Sequence, residues 1–101
     1  MAAVTSRLER TTQVTTLEEW EKRRPRLEST IKPLLEKQPG FQQVDLEWNE
    51  GRLVETTTWE SQEDCRKYIR EGGAATVATY ADQVVPTAGY PNGTWIRRNS
   101  F

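Results

Sequence analysis

The chain has 101 residues, of which 35% are hydrophobic and 29% charged, with a formal net charge of -1. This length fits one domain with a modest core, and the interspersed charges of both signs do not indicate a nucleic-acid surface. No apolar run approaches the ~20 residues that span a membrane, and no basic flank leads into an apolar segment at the N-terminus. We therefore expect a single cytoplasmic domain over residues 1–101 that binds neither membrane nor nucleic acid.

The sequence contains no histidine and one cysteine, Cys65. Without histidine it cannot form a Ser-His-Asp triad, a Cys-His pair, an imidazole-ligated zinc or iron site, or a histidine-ligated haem. No acidic cluster has a spacing that favours a magnesium site. We expect no metal and no cofactor, so any catalysis would use carboxylate, Tyr, Lys, Arg, Thr or Cys side chains.

A first strand is predicted from Val4 to about Thr12, where Ser6 and Leu8 share one face with Val4. Thr16 and Glu19 form a capping box, in which the hydroxyl accepts from a first-turn amide and the carboxylate reaches back, so a helix begins there. The spacing places six apolar residues of this helix on one face: Leu17, Trp20, Leu27, Ile31, Leu34 and Leu35.

Two prolines, Pro25 and Pro33, lie inside this helical pattern, where each removes an amide donor and clashes with the preceding turn. The apolar stripe stays in phase across both, so we expect a bent helix or two collinear segments rather than a loop. The helix should end at Pro39-Gly40.

Two alternating strands follow as a hairpin. In the first, which begins at Phe41, one face carries Val44, Leu46 and Trp48. Asn49-Glu50-Gly51 is predicted to be a three-residue connection with glycine at the position that needs a positive φ. The second strand, Arg52 to Trp59, places Leu53, Glu55, Thr57 and Trp59 on one face. Both faces are semi-apolar, as expected of a sheet covered by helices on one side and by a partner sheet on the other.

The C-terminal part of the sequence predicts two more helices and a last strand. Ser61 and Asp64 form a second N-cap signal, and Gly72-Gly73 ends that helix. A third helix is predicted from Ala74 to Val85, and a last strand from Thr94 to Phe101. The resulting order, β-α-β-β-α-α-β with an antiparallel sheet, is that of an α+β ferredoxin-like fold.

Three consecutive stretches carry a family resemblance: PGFQQVDLEW (39–48), RLVETTTWES (52–61) and QEDCRKYI (62–69). Together they resemble the antibiotic biosynthesis monooxygenase-like family, whose members are dimeric α+β barrels. The resemblance implies a homodimer in which each sheet buries its open face against a second copy. It also implies a small-molecule pocket between the sheet and its helices, walled in part by the strand that ends at Trp59 and by the helix capped by Ser61.

The resemblance departs from the family pattern at two positions. The family's oxygenases that turn phenolic polyketides into quinones without metal or flavin carry Asn four residues before the matching Trp and Tyr six residues after it. In this sequence those positions hold Glu55 and Cys65. The haem-degrading branch has a histidine after the Trp, and this chain has none.

Glu55 is the predicted catalytic base, because a carboxylate in an apolar pocket has its pKa raised toward a useful range. Tyr68, one helical turn beyond Cys65, is predicted to donate to an oxyanion. Trp59 is predicted to stack on an aromatic substrate. The predicted substrate-binding residues are Trp59, Thr57, Cys65 and Tyr80.

Each of these residues also has a structural interpretation. Glu55 could pair with Arg7 or Arg97 on a neighbouring strand, and Trp59 could belong to the core. Cys65 could be a nucleophile near a helix N-terminus or a buried packing thiol. Arg97 and Arg98 should point to opposite faces of the last strand, leaving one of them to bind an anionic substrate group.

The residues and the resemblance together indicate a cofactor-independent oxygenase-type enzyme that acts on a small aromatic or polyketide-like substrate by proton abstraction. A polyketide cyclase or isomerase on the same fold is an alternative. A second alternative is a dimeric module that binds a small hydrophobic ligand without catalysis, since a fold does not determine its chemistry.

Overall fold

The computed structural model describes residues 3–73, 84–85 and 95–101, to which the structural findings refer. In chain order these residues form β1 (Val4–Thr11), α1 (Leu17–Glu36), β2 (Phe41–Asn49), β3 (Arg52–Trp59), α2 (Gln62–Tyr68) with a π-helical turn (Ile69–Gly73), and β4 (Trp95–Asn99). The third helix predicted from the sequence lies outside the described residues, Tyr80 included, except for Val84 and Val85. Both of these valines are buried.

The four described strands form one antiparallel sheet in the order β2-β3-β1-β4. The two central strands are therefore β3 and β1, and helices α1 and α2 both pack on the same face of the sheet. This is the strand order of the split β-α-β arrangement that the sequence predicts. The α+β, ferredoxin-like fold class is confirmed.

Helix α1 begins at the predicted cap, where the Thr16 hydroxyl accepts from the Glu19 amide at 3.1 Å. The Glu19 carboxylate does not supply the reciprocal half of a capping box in this structure, because its Oε1 accepts from Arg23 Nε at 3.2 Å. One apolar prediction is wrong: Leu17 is 58% exposed. It is the first residue of the helix, where the chain has not yet reached the core.

Pro25 and Pro33 do not interrupt α1, which is continuous from Leu17–Glu36. Both prolines are exposed, and so are Glu21 and Ser29, the residues whose carbonyl groups lose an amide donor four positions later. Water can solvate these carbonyls, so the helix tolerates both prolines on its solvent side. The buried side of the helix is formed by Trp20, Leu27, Ile31 and Leu35.

The hairpin differs from the predicted three-residue connection. Asn49 and Arg52 are paired across β2 and β3, so only Glu50 and Gly51 form the turn. Both have positive φ values, 48° and 86°. Two consecutive residues with positive φ define a type I′ turn, whose twist matches that of the flanking strands.

The sheet has one face under the helices and one open face. The helix-covered face contributes Leu8, Leu46, Leu53 and Trp59 to the core. On the open face, Glu9 bridges two arginines, at 3.2 Å from Arg7 and 3.8 Å from Arg52. Among the described residues, no helix is long and apolar enough to cross a membrane.

Candidate functional site

The predicted site residues of β3 lie together beneath the helices. Glu55, Thr57 and Trp59 are 2%, 4% and 0% exposed, and they alternate with residues of the open face. The register places Glu55 opposite Leu8 on β1 and opposite Leu46 on β2. Glu55 therefore lies near the centre of the sheet, on a strand that is hydrogen-bonded on both sides, and its cross-strand neighbours are both leucines.

Trp59 is fixed by two ring contacts and one hydrogen bond. The Phe41 ring approaches it edge-on at a centroid distance of 5.6 Å, and the Tyr68 ring lies 4.7 Å away at a 30° tilt. Trp59 Nε1 donates to Thr57 Oγ1 at 2.9 Å, and this hydroxyl donates to the Ser6 carbonyl at 3.3 Å. Trp59 is thus part of the core, and substrate stacking on its ring stays a prediction.

Tyr68 reaches the site from α2. Its hydroxyl donates to the Gly73 carbonyl at 3.4 Å, a long contact across the π-helical turn. Burial raises the pKa of Tyr68 well above its ordinary value, the charge of Glu55 adds to the rise, and Arg97 opposes it. Both charges therefore act on the Tyr68 hydroxyl, which stays a neutral phenol and a proton donor at neutral pH.

Cys65 is fully buried and is not in a disulfide. Burial raises the pKa of its thiol, while Arg97 and a hydrogen bond with Ser6 lower it to a smaller extent. A raised pKa keeps the sulfur protonated, and the thiol is a poor nucleophile. The structure therefore favours the packing interpretation of Cys65 over the nucleophilic one.

Ser6, Arg97 and Asn99 form a hydrogen-bonded chain beside these residues. Arg97 Nη1 donates to Ser6 Oγ at 2.8 Å, and Ser6 Oγ donates to Asn99 Oδ1 at 2.6 Å. No functional role is predicted for Ser6 from the sequence. The signal was present, because Ser6 alternates in phase with Val4 and Leu8 and was bound to face the core with them.

The two proposed arginine partners of Glu55 lie on different faces of the sheet. Arg7 pairs with Thr56 in the register and faces the open side, where it contacts Glu9. That alternative is wrong. Arg97 is paired with Leu8, so it lies on the Glu55 side of the sheet with Leu8 between them. Arg98 is exposed on the opposite face, as the alternation predicts.

Two surface grooves are described, and the predicted site residues within the described part of the chain line neither of them. One, of about 620 Å³, lies between the C-terminal half of α1 and the start of β2, with Lys32, Glu36 and Phe41 in its wall. The other, of about 420 Å³, is lined by Arg66, Ile69, Arg70, Asn99 and Phe101. The described residues include no group of three or more acidic or cysteine side chains that could hold a metal.

The arrangement is that of the ferredoxin-like proteins, and solved structures of this class match nearly the whole chain. No protein-family model matches the sequence, and no curated protein is detectably similar to it. The matching structures include proteins named as antibiotic biosynthesis monooxygenases. The resemblance seen in the sequence is therefore confirmed at the level of the fold.

Three of these structures illustrate the similarity. SnoaB, a cofactor-independent oxygenase from Streptomyces nogalater, is 17% identical with a TM-score of 0.59, over 100% of this chain and 93% of its own. A protein from Bordetella bronchiseptica assigned to the antibiotic biosynthesis monooxygenases is 12% identical with a TM-score of 0.64, over 100% and 97%. A dimeric ferredoxin-like protein of unknown function from a Jannaschia species is 9% identical with a TM-score of 0.63, over 99% of each chain. Identities this low show the fold alone.

Proposed function

We propose that this chain is a cofactor-independent oxygenase-type enzyme that removes a proton from a small aromatic or polyketide-like substrate. The observation that carries the proposal is the buried Glu55 carboxylate, which is 2% exposed on a central strand and shares its face of β3 with Trp59, the ring that Tyr68 packs against. A base and a proton donor on the same side of the sheet are what acid–base chemistry on a phenol requires. The shared fold with SnoaB supports the reaction class.

In the proposed reaction, Glu55 accepts the phenolic or α-carbonyl proton of the substrate. The resulting anion transfers one electron to O2, and the substrate radical and superoxide combine through a new carbon–oxygen bond. The peroxide then loses water, which takes up the proton held by Glu55. A phenol and O2 thus yield a quinone and one water molecule, without any further oxidant.

Tyr68 is the proposed donor to the developing oxyanion. Its pKa is raised, so the phenol keeps its proton and can donate a hydrogen bond through the reaction. Its contact with the Gly73 carbonyl is 3.4 Å long, beyond the usual range for a hydroxyl donor. The hydroxyl can therefore turn toward a better acceptor at small cost.

Thr57, Cys65 and Trp59 complete the described wall of the proposed substrate chamber. Thr57 holds the indole of Trp59 in one orientation, which fixes the ring that faces Tyr68. Tyr80 belongs to the same proposal, although it lies outside the described residues. The proposal includes a cytoplasmic location.

The proposal includes a homodimer in which two open sheet faces meet. This face combines the buried Val54 with Ile96, which is 42% exposed. The dimeric ferredoxin-like protein from Jannaschia, which shares the fold, supports this assembly. A non-catalytic module that binds a small hydrophobic ligand is the second candidate, since a fold does not determine its chemistry.

The test measures O2 consumption with a panel of dihydroxynaphthalenes and anthrones. Glu55→Gln keeps the size of the side chain and removes the base, so turnover should fall about 100-fold or more. Glu60→Gln is the matched control, since it makes the same change at an exposed residue one position beyond β3 and should stay within about twofold.

Full turnover in Glu55→Gln would refute the assignment of the base. Product formation without O2 consumption would replace the oxygenase with a cyclase or isomerase. Stabilisation by the panel compounds with no product would favour the binding module.

A further inference from the structure

Arg97 is held in one orientation with part of its guanidinium unsatisfied. Nη1 donates to Ser6 Oγ at 2.8 Å, and Ser6 Oγ uses its own proton on Asn99 Oδ1. Nη2 is buried and has no hydrogen-bond partner within the described parts of the chain. A buried, charged N–H group without an acceptor is costly, and in native proteins such a group calls for an explanation.

Four other arginines of the chain are held by direct ion pairs. Arg7, Arg23, Arg24 and Arg52 each contact a glutamate. Across residues 3–73, 84–85 and 95–101, no carboxylate lies within ion-pair distance of Arg97. Its guanidinium is therefore held by a neutral hydroxyl rather than by a direct ion pair.

The groove beside α2 shares Asn99 with the hydrogen-bonded chain that holds this guanidinium, and Arg97 itself does not line its wall. Asn99 lies in its wall and is linked to Arg97 through Ser6. Arg66 and Arg70 also line the groove, with the guanidinium of Arg66 placed 5.4 Å from the centre of the Phe101 ring. Two cations and an aromatic ring around one groove favour a ligand that is both anionic and aromatic.

We propose that Arg97 Nη2 binds the carboxylate of a small aromatic acid that enters along the groove bordered by Asn99. The planar guanidinium suits a carboxylate, and Ser6 holds it ready before the ligand arrives. The inference deepens the proposed function by adding a negative charge to the substrate, and it rests on that function for the location of the chamber. Arg97 is a binding residue in this scheme, and Glu55 remains the base.

Benzoate and benzamide provide the test, because they share their shape and differ in charge. Benzoate should raise the thermal unfolding midpoint of the wild-type chain, and benzamide should not. Arg97→Gln should weaken benzoate binding at least about tenfold, since it removes a charge-assisted hydrogen bond. Arg98→Gln is the matched control: it removes the same charge one residue further on the opposite face, and benzoate affinity should change less than about twofold.

Arg97→Lys keeps the positive charge but places it on a single nitrogen, which cannot donate to Ser6 and to the ligand in the same geometry. The benzoate affinity of this variant should therefore lie between those of the wild type and Arg97→Gln. This variant also keeps the test valid if Arg97→Gln does not fold. If Arg97 has a purely structural role, its substitution should lower the thermal unfolding midpoint without ligand and leave the benzoate affinity unchanged. That result, equal stabilisation by benzamide, or no response of the wild type to benzoate would each overturn the proposal.

The two proposals fail separately, because benzoate binding is measured without turnover. An Arg97-dependent benzoate response together with a fully active Glu55→Gln variant would remove the base and keep the anion site. If Glu55→Gln loses turnover and the Arg97 variants bind benzoate as the wild type does, the anion site is refuted and the assignment of the base stands.

Discussion

Thr57→Val should destabilise the chain by leaving a buried indole N–H group without its acceptor. Thr57 is 4% exposed, and its hydroxyl accepts from Trp59 Nε1 at 2.9 Å while donating to the Ser6 carbonyl at 3.3 Å. Valine has nearly the same shape, so packing around the fully buried Trp59 is preserved. The change therefore isolates the hydrogen bonds from the volume of the side chain.

The expected magnitude follows from these two bonds. A buried donor that loses its acceptor costs about 1–3 kcal/mol, and the longer bond to Ser6 contributes at the lower end of that scale. A net loss of about 2 kcal/mol is a large share of the roughly 5–15 kcal/mol that stabilises a typical domain. For a chain of this size, it corresponds to a fall of about 8–16 °C in Tm.

Urea unfolding followed by tryptophan fluorescence measures this loss. Thr58→Val is the matched control, because Thr58 is the next residue of β3 and faces the open side of the sheet. Its free energy of unfolding should stay within about 0.5 kcal/mol of the wild type or rise slightly. Equal effects of the two substitutions would show that the Thr57 hydroxyl does not hold Trp59 in place, and the account of the site would be wrong.

Two further predictions concern the residues around Tyr68. Gly73→Ala should lower the free energy of unfolding in urea by about 1–3 kcal/mol, because a Cβ there would lie 2.5 Å from the Tyr68 carbonyl oxygen. Gly51→Ala is the control: its Cβ would meet open space, so only the backbone strain at φ +86 should act, at about 1 kcal/mol. A smaller loss of stability for Gly73→Ala than for Gly51→Ala would contradict the steric argument. The raised pKa values of Cys65 and Tyr68 mean that the unfolded chain loses these protons first, near pH 9.0 and 10.0, so stability is complete below that range and falls as pH rises through it. Alkaline unfolding midpoints should fall less steeply in Cys65→Ala and Tyr68→Phe, and unchanged slopes would refute the assignment.

Local patterns predicted most of the fold. The two helix starts at Thr16 and Ser61 are set by side chains that bond to amides three residues later, so the sequence contains all the information needed. The alternation that placed Glu55 with Thr57 and Trp59 is equally local, since side chains on a strand alternate between faces. Burial under the helices follows once the strand is central.

The differences arose where a residue's surroundings come from distant parts of the chain. Leu17 fits the apolar stripe of α1, but its position at the helix end keeps it outside the core. The pairing of Arg7 with Glu9 depends on which face β1 presents, and the burial of Arg10, which is 5% exposed, depends on the elements that cover β1. The link from Arg97 to Ser6 joins residues 91 positions apart, and no local pattern predicts it.

Glu55 and Arg97 stand on either side of Leu8 on one face of the sheet and act on the pKa of Tyr68 in opposite directions. An anion bound at Arg97 would offset the charge that lowers this pKa, leaving burial and Glu55, which both raise it. Ligand binding would therefore raise the pKa of Tyr68 further, so the phenol would keep its proton over a wider pH range.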